Sequence, residues 1–366
     1  MRRDPRALGR ARRVRPMEEE RVLPGLPDRL VLWSHAYDAR RMRMLRLTPV
    51  QYRRITLVSA VLLAVIIVTG SAVRLTGSGL GCPDWPNCEP GRLTPYSAND
   101  FHAMVEFVNR TVTGLVSLAV VIAVLGSLVR VPRRMDLLVL SLGLVVGVVV
   151  QIVLGKLVVE KLLSPPWVMS HFLVSMVLLA DAVVLYRRAG QPDGGFTRPP
   201  VPIVARSVLW MSRVLVLAAA VVVVTGTVVT GSGPHSGDVP GTAQRATRLD
   251  LYIPDVARVH GTSAMVLLAL VLATLLLVHR TRAPGAVVRR LEVVLVVLVA
   301  QAGVGYTQYF TGIPALLVGI HVAGATALWA ATIWFALGVT ERPVPDDAVA
   351  DVTPQPVLAG AGGRPA

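Results

Sequence analysis

The chain has 366 residues, 53% of them hydrophobic and only 16% charged, with a mean hydropathy of +0.60. A soluble domain carries roughly a quarter charged residues, so composition excludes an ordinary aqueous fold and points to an all-α integral membrane protein. The formal net charge of +15 does not indicate a nucleic-acid partner, because the arginines gather in the first tail and in alternate loops, as topology signals do.

Residues 1–54 are arginine-rich and lack an apolar period, which predicts a disordered cytoplasmic tail. The first apolar run comes too late for a cleavable signal peptide, and Met42 and Met44, just before it, are candidate alternative starts. Eight apolar runs follow, near 55–74, 103–129, 136–155, 167–187, 207–230, 257–279, 290–309 and 315–339. Runs of this length read as membrane helices, not as barrel strands, which alternate over about ten residues. Residues 340–366 are rich in Pro, Gly, Ala and Asp and are expected to form a second disordered tail.

Basic residues set the predicted orientation. Arg130, Arg133 and Arg134 follow the second span, Arg187, Arg188 and Arg198 the fourth, and Arg280, Arg282, Arg289 and Arg290 lie between the sixth and seventh. These loops share one side, the cytoplasm, so both termini are inside and the loop after the first span is outside. The host is then the plasma membrane.

Two stretches organise the chain. Gly70 to Arg110 contains GSAVRLTGSGLGCPDWPNCEP and then HAMVEFVNR; Gly226 to Gly261 contains GTVVTGSGPHSGDVPG and then PDVARVHGT. Each joins an apolar helix end to a Gly-rich loop and a new apolar helix. Gln151, Gly155 and His171 recur as Gln301, Gly305 and His321, each shifted by 150 residues, and Asn109 pairs with His260 at 151. The expectation is two four-helix units, 55–187 and 207–339, parallel and pseudo-symmetric about an axis along the membrane normal.

Ionisable groups inside a span are expensive and mark function. Of the seven histidines, His35, His235 and His279 fall in the tail, an outer loop and a helix end, where solvated roles suffice. His171, His260 and His321 each follow a helix start marked by Pro166, Pro254 or Pro314, roughly 10 Å in at 1.5 Å per residue. They share one depth near the outer face. Two imidazoles on facing helices can ligate both sides of a haem iron; the bland alternative for one such His is a hydrogen bond to a neighbouring helix.

The first unit is less regular. Asn109 stands where His260 stands in the second, and Asn is a poor iron ligand. His102 and Glu106 share its helical face. His102 is either a ligand or an interfacial helix-start residue, and without it the site is five-coordinate through His171. Glu106 is either half of an i,i+4 pair with Arg110 or a proton acceptor beside the ligand. Cys82 and Cys88, the only cysteines, flank PDWPN in an outer loop where disulfides are permitted; they read as a staple or as a redox pair. Two thiolates without nearby His partners do not make a zinc site. Arg74 is interfacial or a contact for a haem propionate.

The run VRLTGSGLGCPDWPNC, with EFVNR, SHF, RVHG and GIH on the second, fourth, sixth and eighth spans, resembles the haem A synthase family over about residues 50 to 340. The resemblance implies eight helices in two bundles, each with a haem site, and oxidation of a methyl group of haem O to the formyl group of haem A. It assigns His260 and His321 to a resident haem b, His171 to the substrate haem, Glu106 to assistance in the oxidation, and Cys82 and Cys88 to the family's loop pair. The implied partners are a haem O synthase, cytochrome oxidase assembly factors, an electron acceptor of unassigned class and further copies of the chain. One departure stands out: the family pattern has Glu-x-x-His in the second span, and here Glu106 is followed by Asn109. The residues without the resemblance also suit a di-haem b electron-transfer cytochrome. A transporter with parallel repeats would differ by lacking a Soret band.

Overall fold

The computed structural model describes residues 46–82, 84–193, 199–237 and 246–343. The tail before residue 46 with Met42, Met44 and His35, the loop residue Arg198, and the tail after residue 343 lie outside the described residues. Among the described residues eight helices carry the fold: α1 (Pro49–Leu75), α2 (Phe101–Val129), α3 (Met135–Glu160), α4 (Pro165–Ala189), α5 (Arg206–Ser232), α6 (Ile253–Arg280), α7 (Gly285–Phe310) and α8 (Ala315–Leu337). A short antiparallel pair joins β1 (Val201–Pro202) to β2 (Thr340–Glu341).

All helices except α7 are long and apolar enough to cross a membrane by length and composition, which makes the chain a multi-pass membrane protein. The helix α7 opens with Arg289, Arg290 and Glu292 before its apolar stretch. Much apolar surface is turned outward: Val149, Leu217 and Val296 are each more than half exposed. In water such coverage would be an aggregation liability; in lipid it costs nothing.

Helix limits follow local chemistry. Thr48 caps α1 by accepting from the Gln51 N–H at 3.2 Å, and the Gln51 side chain returns to the Thr48 N–H at 2.9 Å, with Pro49 in the first turn. Residues 49–54, expected in a disordered tail, are therefore helical, and the Thr-x-x-Gln signature is the reason. Residues 340–341 likewise leave the expected tail to pair with β1. At the other end of α1, Gly77 takes a φ of 67° and lets the Ser78 N–H reach back to the Val73 carbonyl at 2.8 Å. Asp100 caps α2 through the Ala103 N–H, and Pro165 and Pro166 open α4.

Packing closes two rings. α1 contacts α2 and α4, and α3 contacts α2 and α4; α5 contacts α6 and α8, and α7 contacts α6 and α8. α1 and α4 also meet α8, and α4 meets α5. Across that seam the Trp329 indole N–H donates to the Met176 carbonyl at 2.8 Å in a buried position, and Tyr186 stacks on Trp334.

The loops read as topology signals do more than signal. Arg130 is fully buried and pairs with Asp193 at 2.7 Å; Arg134 pairs with Asp136 and Asp193, and Arg188 lies 3.8 Å from Asp136. Burial lowers the Arg134 guanidinium pKa and the Asp136 carboxylate opposes that. Such pairs fix geometry more than they add stability, because desolvation offsets most of their attraction. They tie the α2–α3 connection to the end of α4.

Candidate functional site

Two histidines meet between α6 and α8, at opposite corners of the second ring. His260 and His321 each sit about two turns into their helix, and their ring centroids are 6.2 Å apart with planes at 82°. A metal–nitrogen bond of about 2.0–2.1 Å on each side, plus about 1.1 Å from nitrogen to ring centre, sets two trans imidazole centroids about 6.3 Å apart. The separation of the two rings is compatible with one metal held between them. Small residues make room for the rings: a Cβ on Gly226 would lie 3.1 Å from the His260 ring, and one on Gly305 3.2 Å from the His321 ring.

The His260 ring is held by hydroxyls. Thr225 Oγ1 lies 2.9 Å from the Val221 carbonyl and 3.1 Å from His260 Nδ1. Ser263 braces Thr225 at 3.1 Å and donates to the His260 carbonyl. With its proton on Nδ1, shared with the Thr225 hydroxyl, the ring would present the Nε2 lone pair, the state a ligating imidazole needs. His321 is anchored through its backbone: Gln301 donates from Nε2 to the His321 carbonyl at 2.7 Å, while His321 Nδ1 is buried without a partner. Among the described residues no three His, Cys, Asp or Glu side chains converge on a point that would hold a bare metal ion. Two imidazoles suit an iron whose other ligands come from a macrocycle.

The first ring repeats part of this arrangement. Gln151 donates from Nε2 to the His171 carbonyl at 3.0 Å, His171 Nδ1 is again buried without a partner, and Gly155 faces the His171 ring at 3.7 Å. The position of Thr225 is taken by Thr69, whose hydroxyl donates to Asn109 Oδ1 at 2.9 Å. The place of an imidazole is thus held by an amide on the same kind of hydroxyl. His102, two turns nearer the loop, touches Ser78 through Nδ1 at 3.1 Å.

The cysteine loop lies over the start of α2. Cys82 and Cys88 form a disulfide, both essentially fully buried against Ala103. Glu106 binds on two sides: Oε1 accepts from Arg110 at 2.6 Å and Oε2 from the Cys82 N–H at 2.9 Å. Arg110 also donates to the carbonyls of Cys82, Asp84 and Asn87. The i,i+4 pair read from the sequence is present, and it is the peg on which the loop hangs. Gly81 is obligatory there, since a Cβ would run into the His102 carbonyl oxygen. Replacing both cysteines with serine is expected to destabilise the protein by about 2 kcal/mol through loss of a short cross-link. A lowered unfolding midpoint in detergent with an unchanged helical signal checks this; an unchanged midpoint favours a purely redox role.

Arg74 does not sit free at the interface. It donates to the Thr230 carbonyl at 2.7 Å, near the end of α5, where the helix dipole favours a cation, and its Nε is buried without a partner. His235 bonds the Ile313 carbonyl at 2.8 Å and so has a structural contact as well. The sequence reading missed Thr69, Thr225, Ser263 and Ser78. The signal was present: Thr-Gly occurs at 69–70 and 225–226, at matched places in the two copies.

The profile of a family described as cytochrome oxidase assembly protein matches residues 53–333. Relatives named heme A synthase include one from Exiguobacterium sibiricum, 29% identical over 163 residues, which are 44% of this chain and 53% of that protein. One from Shewanella oneidensis is 30% identical over 152 residues, 37% of this chain and 44% of that protein. One from Listeria monocytogenes is 25% identical over 131 residues, 36% and 43% of the two chains. The chain thus matches about half the length of these relatives, whereas the family profile runs from the first turns of α1 into α8 and takes in both histidine sites and the disulfide loop. By that match the chain belongs to the cytochrome oxidase assembly protein family.

Proposed function

We propose that this protein is a haem A synthase that oxidises the C8 methyl group of haem O to a formyl group. The observation that carries the reading is the His260–His321 pair, at ligand spacing inside a membrane helix bundle of this family. Two successive hydroxylations of the methyl carbon, each adding one oxygen from water and passing two electrons and two protons to an external electron acceptor, give a gem-diol, which loses water to leave the aldehyde. Eight spans form two parallel four-helix units, 55–187 and 207–339, with both termini in the cytoplasm of a cell whose plasma membrane holds the protein. The twofold recurrence of the Gln–His and Thr contacts supports that division. The haem sites then lie near the outer face.

In the second unit His260 and His321 hold a resident haem b, which supplies one-electron chemistry when bound. The buried Nε of Arg74 makes it a candidate propionate contact. In the first unit haem O is the substrate, held by His171. Glu106, less than a turn from Asn109, is paired with Arg110 and anchors the disulfide loop beside the start of α2. A haem O synthase and oxidase assembly factors are the expected partners.

The deciding experiment is haem extraction from protein made in cells that also produce haem O. Haem A or hydroxylated haem O supports the synthase. Haem b alone under that supply points instead to a di-haem b electron carrier. A finer test addresses Thr225. Thr225→Val is expected to weaken resident haem b binding by about 10- to 100-fold and to shift its midpoint potential, while Thr225→Ser retains both. Equal behaviour of the two variants would show that the hydroxyl does not hold His260.

A further inference from the structure

We infer that the haem held by His171 is five-coordinate and that its opposite face is a binding site for a small exogenous ligand, such as a neutral diatomic molecule. The inference rests on the proposed haem site in the first unit and concerns which side chain faces it. In the second unit α6 and α8 occupy opposite corners, and His260 meets His321 across the bundle. In the first unit α2 and α4 occupy the corresponding corners, so the residue facing His171 is Asn109. The hydroxyl contact identifies it independently: Thr69 bonds Asn109 as Thr225 bonds His260.

Space supports the same assignment. A Cβ on Gly226 would touch the His260 ring at 3.1 Å, whereas one on Gly70, next to Thr69, would meet no heavy atom within 4 Å. The volume an imidazole fills in one half is not filled by the amide in the other. The amide oxygen already accepts from Thr69, which leaves the NH2 group as the polar atom of Asn109 available there. An NH2 donor is not an iron ligand, but it can donate to one.

Of the remaining candidates on α2, one is engaged elsewhere and one is too far along the helix. Glu106 has one oxygen on Arg110 and the other on the Cys82 N–H. His102 has a hydroxyl on Nδ1, as His260 has, but it lies seven residues before Asn109, roughly 10 Å along the helix axis at 1.5 Å per residue, and that distance takes it out of the site. Its carbonyl lies under Gly81, which fixes that turn against the loop. No second imidazole on α2 lies at the depth of His171.

Carbon monoxide is the probe, applied to reduced full-length protein purified from cells that supply haem O. The expected result is that one of two haems shifts its Soret band while the bis-histidine haem does not respond. The shift persists in His102→Ala. In Asn109→His it is lost, and the oxidised protein gains a second low-spin signal in electron paramagnetic resonance. Two low-spin haems inert to carbon monoxide in the unaltered protein would overturn the inference, as would reactivity that appears only in His102→Ala. If Asn109→His does not accumulate, those two measurements decide by themselves. A single haem inert to carbon monoxide at every level of haem O supply defeats the first-unit haem site itself, and this inference with it.

Discussion

Replacing His260 or His321 with alanine is expected to abolish the low-spin haem b spectrum, with either substitution as damaging as the other. Six-coordination through two imidazoles would need both rings, and among the described residues no third His, Cys, Asp or Glu joins the pair to take over. Neighbouring hydroxyls on Thr225 and Ser263 are committed to the His260 nitrogen and to backbone carbonyls. The helices themselves should persist, because cores such as Leu215, Leu267, Leu291 and Phe335 pack away from the rings. The measurement is a reduced-minus-oxidised difference spectrum of each purified variant beside its circular dichroism. A low-spin band that survives in either variant would remove the resident haem from this pair. The expected asymmetry is finer: in a His260→Gly variant free imidazole has the Thr225 hydroxyl to bind, whereas in His321→Gly it finds no Nδ1 partner.

Glu106→Gln is expected to leave the resident haem b in place and to lower formation of haem A by about 10²- to 10⁴-fold, the range for loss of a positioned acid–base group. The amide is close in shape to the carboxylate but has one acceptor oxygen, so the disulfide loop keeps one of its two contacts to this side chain and Arg110 keeps its bonds to the loop carbonyls. Glu106→Ala is a worse probe. It leaves the Arg110 guanidinium half-buried without its partner, and breaking a buried pair costs about 3–5 kcal/mol. Arg110→Gln is the companion variant, since it removes the donor to four loop carbonyls and keeps the carboxylate, now without its cation. Extracted haems are compared for all three by chromatography. Equal losses in Glu106→Gln and Arg110→Gln, together with equal protease sensitivity of the loop, would reduce Glu106 to an anchor.

Apolar runs, prolines and histidines were legible in the sequence because the membrane enforces them. A span must be apolar over its whole length, and any buried imidazole breaks the pattern visibly. Helix starts were legible where the apolar run itself begins at the helix end, as at Ala315, and were missed where polar residues open the helix. The Thr48–Gln51 box places the start of α1 several residues before the apolar run, since a helix can begin in polar residues. Arg130 illustrates the opposite difficulty. A loop arginine reads as solvated until an acid distant in sequence, Asp193, is brought beside it.

The sequence by itself determined the class of fold, the repeat, the three intramembrane histidines and the presence of an odd position at Asn109. Each is a matter of residue type and spacing along one chain. Tertiary structure alone decided what faces what. It brought His260 and His321 from α6 and α8 to ligand distance, gave Asn109 the hydroxyl that holds its counterpart histidine, and engaged Glu106 with both Arg110 and the disulfide loop. It also joined the two Gly-rich stretches themselves, through the Gly79 N–H donating to the Gly237 carbonyl at 2.9 Å. The physical reason is that lipid rewards an apolar exterior whatever the helix arrangement, so composition cannot encode neighbours. Hydrogen bonds between helices and close contacts at glycines select them, and both depend on residues far apart in the chain.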